Sequence, residues 1–389
     1  MIIRELHPEE HIEKKALDCI VYPGTERIDI RRQTPNDHVS NDKIVRLGCF
    51  DEKGKLVSTV NIIPYTMRIN GHDIKTGGIG GVGSAPHVRN RGHIRKLFDT
   101  AFDYMKQNGQ VFSYLYPFSH PYYRRFDYEL CRTAINAEFP ISALSDFTKF
   151  SLMEAYEPSH PVQPYIDIYT DFIRDRNLAI VRSEDDWKEF LDRDPYLKNE
   201  HTYLHYDENG NADAYVLYAM TDSGGYFDVQ IKELVWLTPL ALRRTLGFLH
   251  GLSAEAQNIK WSLPTDIDIQ SLLPEPYDIN FSMKHGGMAC LVDIKAMLKT
   301  LTPPHGNGSV VINITSQSYK ISWDNGKLTV ENTTESPDLT TSAKTLVQLI
   351  TGYITPEKAI YKPDTVISHK YAELKTLFPL KKSHLTEAF

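Results

Sequence analysis

Apolar residues recur with helical spacing in some stretches and alternate with polar ones in others, so the chain reads as mixed α and β throughout. The clearest helix follows Gly92. Ile94, Leu97, Phe98, Ala101, Phe102 and Met105 share one face at three- and four-residue steps. Asn108-Gly109 supplies a stop. Upstream, Ile2–Leu6 reads as a strand, and a helix near Pro8 carries Ile12, Ala16, Leu17, Cys19 and Ile20 inside. Ile44–Phe50 and Leu56–Pro64 flank the turn Asp51–Lys55 as a hairpin. The chain carries on through Tyr65–Ile69 and the Asn70-Gly71 turn into a glycine-rich strand. Val111–Tyr116, ended by Pro117, is the next strand. Strand, loop, helix, strand predicts a right-handed crossover.

The pattern then restarts. Thr202–Tyr206 and Ala214–Met220 form a second hairpin around residues 207–211, with a strand following at Ile231–Leu237. A helix runs from Pro239 through Leu240, Leu242, Leu246, Leu249 and Leu252, before a strand at Ile259–Leu263. This is the same order of elements without the basic loop, because Thr238-Pro239 enters the helix directly. The last hundred residues differ: Val310–Ile314, Tyr319–Trp323 and Lys327–Glu331 are short strands, and Thr340-Thr341-Ser342 caps a helix at Leu346–Tyr353. Residues 302–308 read as a linker or loop. Three units are expected, over 1–150, 151–290 and 291–389.

Composition narrows the class. The 389 residues are 41% hydrophobic and 11% aromatic, as in an ordinary folded protein. A formal charge of -7, from 43 basic and 50 acidic residues, argues against a nucleic-acid partner. Cys19, Cys49, Cys131 and Cys290 are widely spaced, which disfavours a zinc ribbon or disulfide framework and fits a reducing compartment. No apolar run is long enough for a membrane span, and the first residues lack a leader's pattern. A cytoplasmic protein without a membrane partner is expected.

Two motifs compete in the glycine-rich region. Gly78, Gly80 and Gly83 satisfy the G-x-G-x-x-G string, but Pro86 follows and the helix begins only near Gly92, so the context of a dinucleotide fingerprint fails. The segment Arg89–Arg95 is better placed. A glycine at a helix start bares backbone N–H groups, and arginines beside it bind phosphate through charge-assisted hydrogen bonds. A diphosphate-bearing cofactor is expected there.

This segment resembles the coenzyme-A-binding motif of the GCN5-related N-acetyltransferases (GNAT). More narrowly, residues 82–95, Leu115-Tyr116-Pro117 and the run from Tyr122 to Tyr128 resemble the Eis (enhanced intracellular survival) acetyltransferases. The resemblance implies an α/β and α+β chain: tandem GNAT-fold domains, the second degenerate, and a C-terminal sterol-carrier-like domain. It places acetyl-CoA contacts at Val82, Gly83 and Ser84, and at Asn90, Arg91, Gly92, His93, Ile94 and Arg95. A further contact falls on Phe118 and Ser119, where the family commonly has Ser-Glu-Gly-Gly and this chain departs from it.

The resemblance also assigns roles. Tyr123 stands where the family's proton donor lies, and the terminal carboxylate of Phe389 where its general base lies. A tyrosine of pKa about 10 can protonate a departing thiolate. A terminal carboxylate, near ~3.5, needs burial or a water relay to act as a base. His87, His93 and His120 are read as structural or solvent-facing, and no metal is expected. The implied acceptor is an amine, either an aminoglycoside-like polyamine or a lysine-type amine, and the implied assembly is a homohexamer. Lipid binding by the C-terminal domain is the alternative.

Overall fold

The computed structural model describes residues 1–25, 29, 43–147, 152–193 and 195–387. Its first unit contains β1 (Ile2–Glu5), α1 (His11–Val21), β2 (Val45–Phe50), β3 (Leu56–Ile69), β4 (His72–Ser84), α2 (His93–Gln107) and β5 (Phe112–Leu115). The strands lie side by side in chain order, antiparallel except for β4 and β5, which run parallel across α2. β3 is longer than the hairpin alone implies and runs straight through Pro64. The proline is tolerated because β2 pairs only as far as Ile62, so no ladder partner is lost on that side.

The sheet is completed by strands from far along the chain. Met288–Leu291 pairs with β5 and, on its other side, with Glu129–Leu130, while Ala179–Ile180 adds to the end of β3. The second sheet has seven strands, centred on Phe227–Trp236 and Ala256–Leu263, which are parallel across the helix Pro239–His250. Its members include Thr133–Pro140, from before residue 150. The two sheets therefore exchange strands, and neither is one continuous stretch of sequence.

A third sheet of five strands takes up Asn307–Ile314, Gln317–Asp324, Lys327–Asn332, Leu339–Thr341 and Val366–Ile367. The helix Ala343–Ile350 begins earlier than its apolar spacing suggests, because the Ser342 hydroxyl accepts from the Thr345 N–H and fixes the start there. Its buried Leu346, Val347 and Ile350 pack with Val310 and Ile312 against Met67, Phe112 and Tyr114 of the first sheet. The opposite face of that sheet, with Val60, Ile62 and Ile79, holds Leu97, Phe98 and Ala101 of α2. Beyond the third sheet the chain turns back: Lys382–Ser383 pairs in parallel with Arg176–Asn177, and the tail reaches Glu387.

Candidate active site

β4 and β5 stay paired only as far as Gly78 opposite Tyr114, although β4 continues to Ser84. The strands part beyond that point. A bulge against β3 lies at the opening, between Thr59 and Asn61, with Gly81 at φ 55°. The Thr59 hydroxyl donates to the Gly81 carbonyl at 3.0 Å and holds the bulge in place. Backbone groups freed in this way can face a substrate carbonyl.

The loop after β4 delivers α2 with its start uncapped. Asn90 (φ 63°) and Gly92 (φ 80°) are both left-handed, which wraps the backbone into a concave turn. No side chain caps the helix, and Lys96 makes its first bond, to the Gly92 carbonyl, at 3.3 Å. The N–H groups of His93, Ile94 and Arg95 thus have no intrahelical acceptor. In the second unit the equivalent helix start is closed: the Thr238 side chain accepts from the Ala241 N–H at 3.1 Å. Only the first copy has a free anion cradle.

A cleft of about 640 Å³ occupies the space between the strand opening and this cradle. Residues 82–84, 90–95 and Phe118 all line it, so the two cofactor segments named from sequence meet in space. Its other walls include Arg89 of the basic loop, Tyr122 and Arg125 of the run to Tyr128, and Val21 and Tyr22 at the end of α1, which sequence reasoning missed. The Arg95 guanidinium is tethered to the Arg125 carbonyl at 3.1 Å and lies over the Phe126 ring. His93 links helix to strand: its Nδ1 is 3.3 Å from the Ser58 hydroxyl, which also meets the Ser84 hydroxyl at 2.8 Å. Burial, followed by the charge of Arg91, lowers the His93 pKa and favours the neutral ring.

Tyr123 ends a short turn, Ser119 supplying the carbonyl that accepts its N–H at 3.3 Å. Neither Ser119 nor Tyr123 is among the cleft's lining residues. Tyr123 is 3% exposed and stands behind Phe118 and Tyr122, with ring centroids 5.3 and 5.2 Å away. Burial, and then the neighbouring Tyr22, raises its pKa well above the usual value. Tyr22 itself is pushed up to about 12, mainly by burial. Phe389 lies outside the described residues. The tail leading to it reaches the end of β5, where the Tyr116 hydroxyl donates to the Glu387 carbonyl at 2.7 Å.

The cradle suits a diphosphate, the diverging strands suit a thioester carbonyl, and the cleft between them is large enough for an extended cofactor. Together they define a coenzyme-A-dependent acyltransferase. An acetyltransferase (GNAT) domain family model matches residues 3–131, and a second model of that description matches residues 178–292. The chain belongs to the GNAT acetyltransferases and carries two copies of the fold in tandem.

Solved structures share the architecture along their whole length. A GCN5-related N-acetyltransferase from Anabaena variabilis superposes with a TM-score of 0.85 at 16% identity, covering 100% of both chains. Eis1 from Mycobacterium abscessus gives 0.81 at 16% identity, again over 100% of each. A conserved protein of unknown function from Enterococcus faecalis, described as a probable N-acyltransferase, gives 0.82 at 20% identity over 98% of this chain and 97% of that one. No curated protein matches in sequence. Among the described residues no group of side chains could hold a metal ion, and no helix is long and apolar enough to cross a membrane.

The cradle makes a direct prediction. Gly92→Val places a β-branched residue at a left-handed position, at a cost of about 1–2 kcal/mol. Nothing lies within 4 Å of the added carbon, so the effect falls on the loop's shape and not on the core. Calorimetric titration is expected to show the Kd for acetyl-CoA rising about tenfold with little change in Tm. An unchanged Kd would mean the loop does not hold the cofactor.

Proposed function

We propose that this protein transfers the acetyl group of acetyl-CoA to an amine by direct attack. The observation that carries the reading is the parting of β4 and β5 beside a helix start that is uncapped here and capped in the second copy. The diphosphate of the cofactor lies against residues 90–95, and the thioester carbonyl faces the backbone of residues 82–84. The amine nitrogen forms a bond to the carbonyl carbon, the C–S bond breaks, and Tyr123 protonates the departing thiolate. The proton lost from nitrogen passes to the Phe389 carboxylate, directly or through water. The tail's hydrogen bond to Tyr116 supports that last assignment, since it brings the chain to within two residues of Phe389 beside the end of β5.

In this reading the C-terminal unit is a sterol-carrier-like scaffold that directs the tail toward the first domain. Its helix Ala343–Ile350 is buried along residues 345–350 against the protein's own core, which favours scaffolding over lipid transport. The acceptor is an aminoglycoside-like polyamine or a lysine-type amine, and the working form a cytoplasmic homohexamer. The free cysteines, three of them buried, accord with a reducing compartment. The test is thiol release from acetyl-CoA against aminoglycosides, polyamines and peptides. Release that depends on the amine, with the acetylated amine recovered, is expected. Absence of release with every amine would overturn the reading.

A further inference from the structure

A second cavity, of about 210 Å³, lies where the end of β5, the second sheet and the tail converge. Tyr116, Arg132, Lys232, Trp261, Ser262 and Glu387 are among its walls. Its acids are already compensated. Arg182, 3% exposed in its side chain, donates to both oxygens of Glu233 at 2.9 and 2.6 Å and to Glu387 at 2.8 Å. Its cations are not: among the described residues the Arg132 and Lys232 side chains make no ion pair or hydrogen bond. Arg132 is half-buried and Lys232 exposed, so both remain open to a ligand.

We propose that this cavity is the acceptor subsite and that it selects an amine also carrying an anionic group, a carboxylate or a phosphate, which Arg132 and Lys232 hold. The inference rests on the transferase reading above and decides between its two acceptor classes in favour of the lysine type. A polycation would meet two like charges here and find Glu233 and Glu387 engaged by Arg182. Geometry joins the cavity to the chemistry. Tyr116 in its wall stands two residues before Phe118 of the cofactor cleft, about 7 Å of extended chain. The segment from Tyr116 to Phe118 thus borders both cavities, and along it the amine end of a flexible acceptor held here would extend toward the cofactor cleft. Glu387, on the rim, is followed two residues later by Phe389, the proposed base.

The test compares matched acceptors on the full-length protein by thiol release: L-lysine with L-lysinamide, and O-phosphoethanolamine with ethanolamine, beside an aminoglycoside. The anionic member of at least one pair is expected to show kcat/KM about tenfold or more above its neutral partner. The pair that shows it identifies carboxylate or phosphate as the natural group. Arg132→Gln is expected to erase that preference by raising KM for the anionic member, with KM for acetyl-CoA unchanged. Lys232→Gln, at an exposed site that the fold does not need, is expected to reduce it in the same direction. Equal use of both members of each pair, preference for the aminoglycoside, or variants that slow both members alike would overturn the proposal and leave the transferase reading intact. Absence of release with any amine would remove both.

Discussion

Tyr123→Phe is expected to lower kcat for acetyl transfer by about two orders of magnitude or more, the usual contribution of a positioned general acid. The reason is in the environment of the ring. Tyr123 is almost fully buried, and burial raises its pKa far enough that the hydroxyl stays protonated throughout the neutral range. A phenol in that state can give a proton to a thiolate but does not ionise at rest. The substitution keeps the ring, which packs edge-on against Phe118 and Tyr122, and therefore keeps the turn that carries it. KM and Kd for acetyl-CoA are expected to stay within about twofold, because the cradle is made elsewhere. The pH profile offers a second check. Since the Tyr123 pKa is raised, its deprotonation cannot cause a loss of activity below about pH 10. Unchanged kcat in the variant would shift attention to Tyr22, which lines the cleft directly and is also held protonated by burial.

How much of this could be read from the sequence follows from how local each feature is. The loop before α2 and the helix itself are local. Glycine and asparagine at left-handed positions, arginines around them and a clean apolar face downstream announce themselves within fifteen or so residues. The hairpins and the second crossover are legible for the same reason, and so is the closed helix start at Thr238. The exchange of strands between the sheets is not. Met288–Leu291 looks like any short buried strand, and nothing near it says that its partners are Phe112–Leu115 and Glu129–Leu130. The walls of the cleft show the same division. Residues 82–95 were visible as a motif, whereas Tyr22 is one of 22 tyrosines and acquires meaning only because α1 ends against the opening of β4. Arg132 and Lys232 are likewise bland in isolation, and acquire meaning only because the fold sets both in the wall of one cavity.

The least legible feature carries the largest stability effect. Arg182 is enclosed by the rings of Tyr169, Trp187 and Phe190 at 4.2, 4.8 and 4.2 Å, and grips Glu233 from 51 residues away. Removing one member of such a buried pair strands the other charge, so Arg182→Ala is expected to cost about 3–5 kcal/mol in urea unfolding. The sign of its pH dependence is specific. Burial alone would raise the Glu233 pKa, yet Arg182, with His384, holds it well below the ordinary carboxylate range. In the native protein this contribution is complete above the unfolded pKa of about 4.3 and is lost as pH falls through the depressed folded value. Without Arg182 the largest influence holding the Glu233 pKa down is gone, with only His384 and the Tyr215 and Thr386 hydroxyls left against burial, so the stabilisation that the native protein has above about pH 4.3 is lost. The variant's deficit is therefore expected to be larger at pH 7 than at pH 4; a deficit independent of pH would contradict this account. Function separates from stability in the double variant Arg182→Met with Glu233→Leu. Replacing both charges by apolar groups is expected to restore most of the stability. It also removes Arg182 and Glu233 as partners of the Glu387 and Thr386 side chains, while the bond from the Tyr116 hydroxyl to the Glu387 carbonyl remains. Turnover is expected to remain down by roughly tenfold to a hundredfold if, as proposed, the tail delivers the base. Recovery of activity together with stability would show that the pair supports the fold and has no part in positioning the tail.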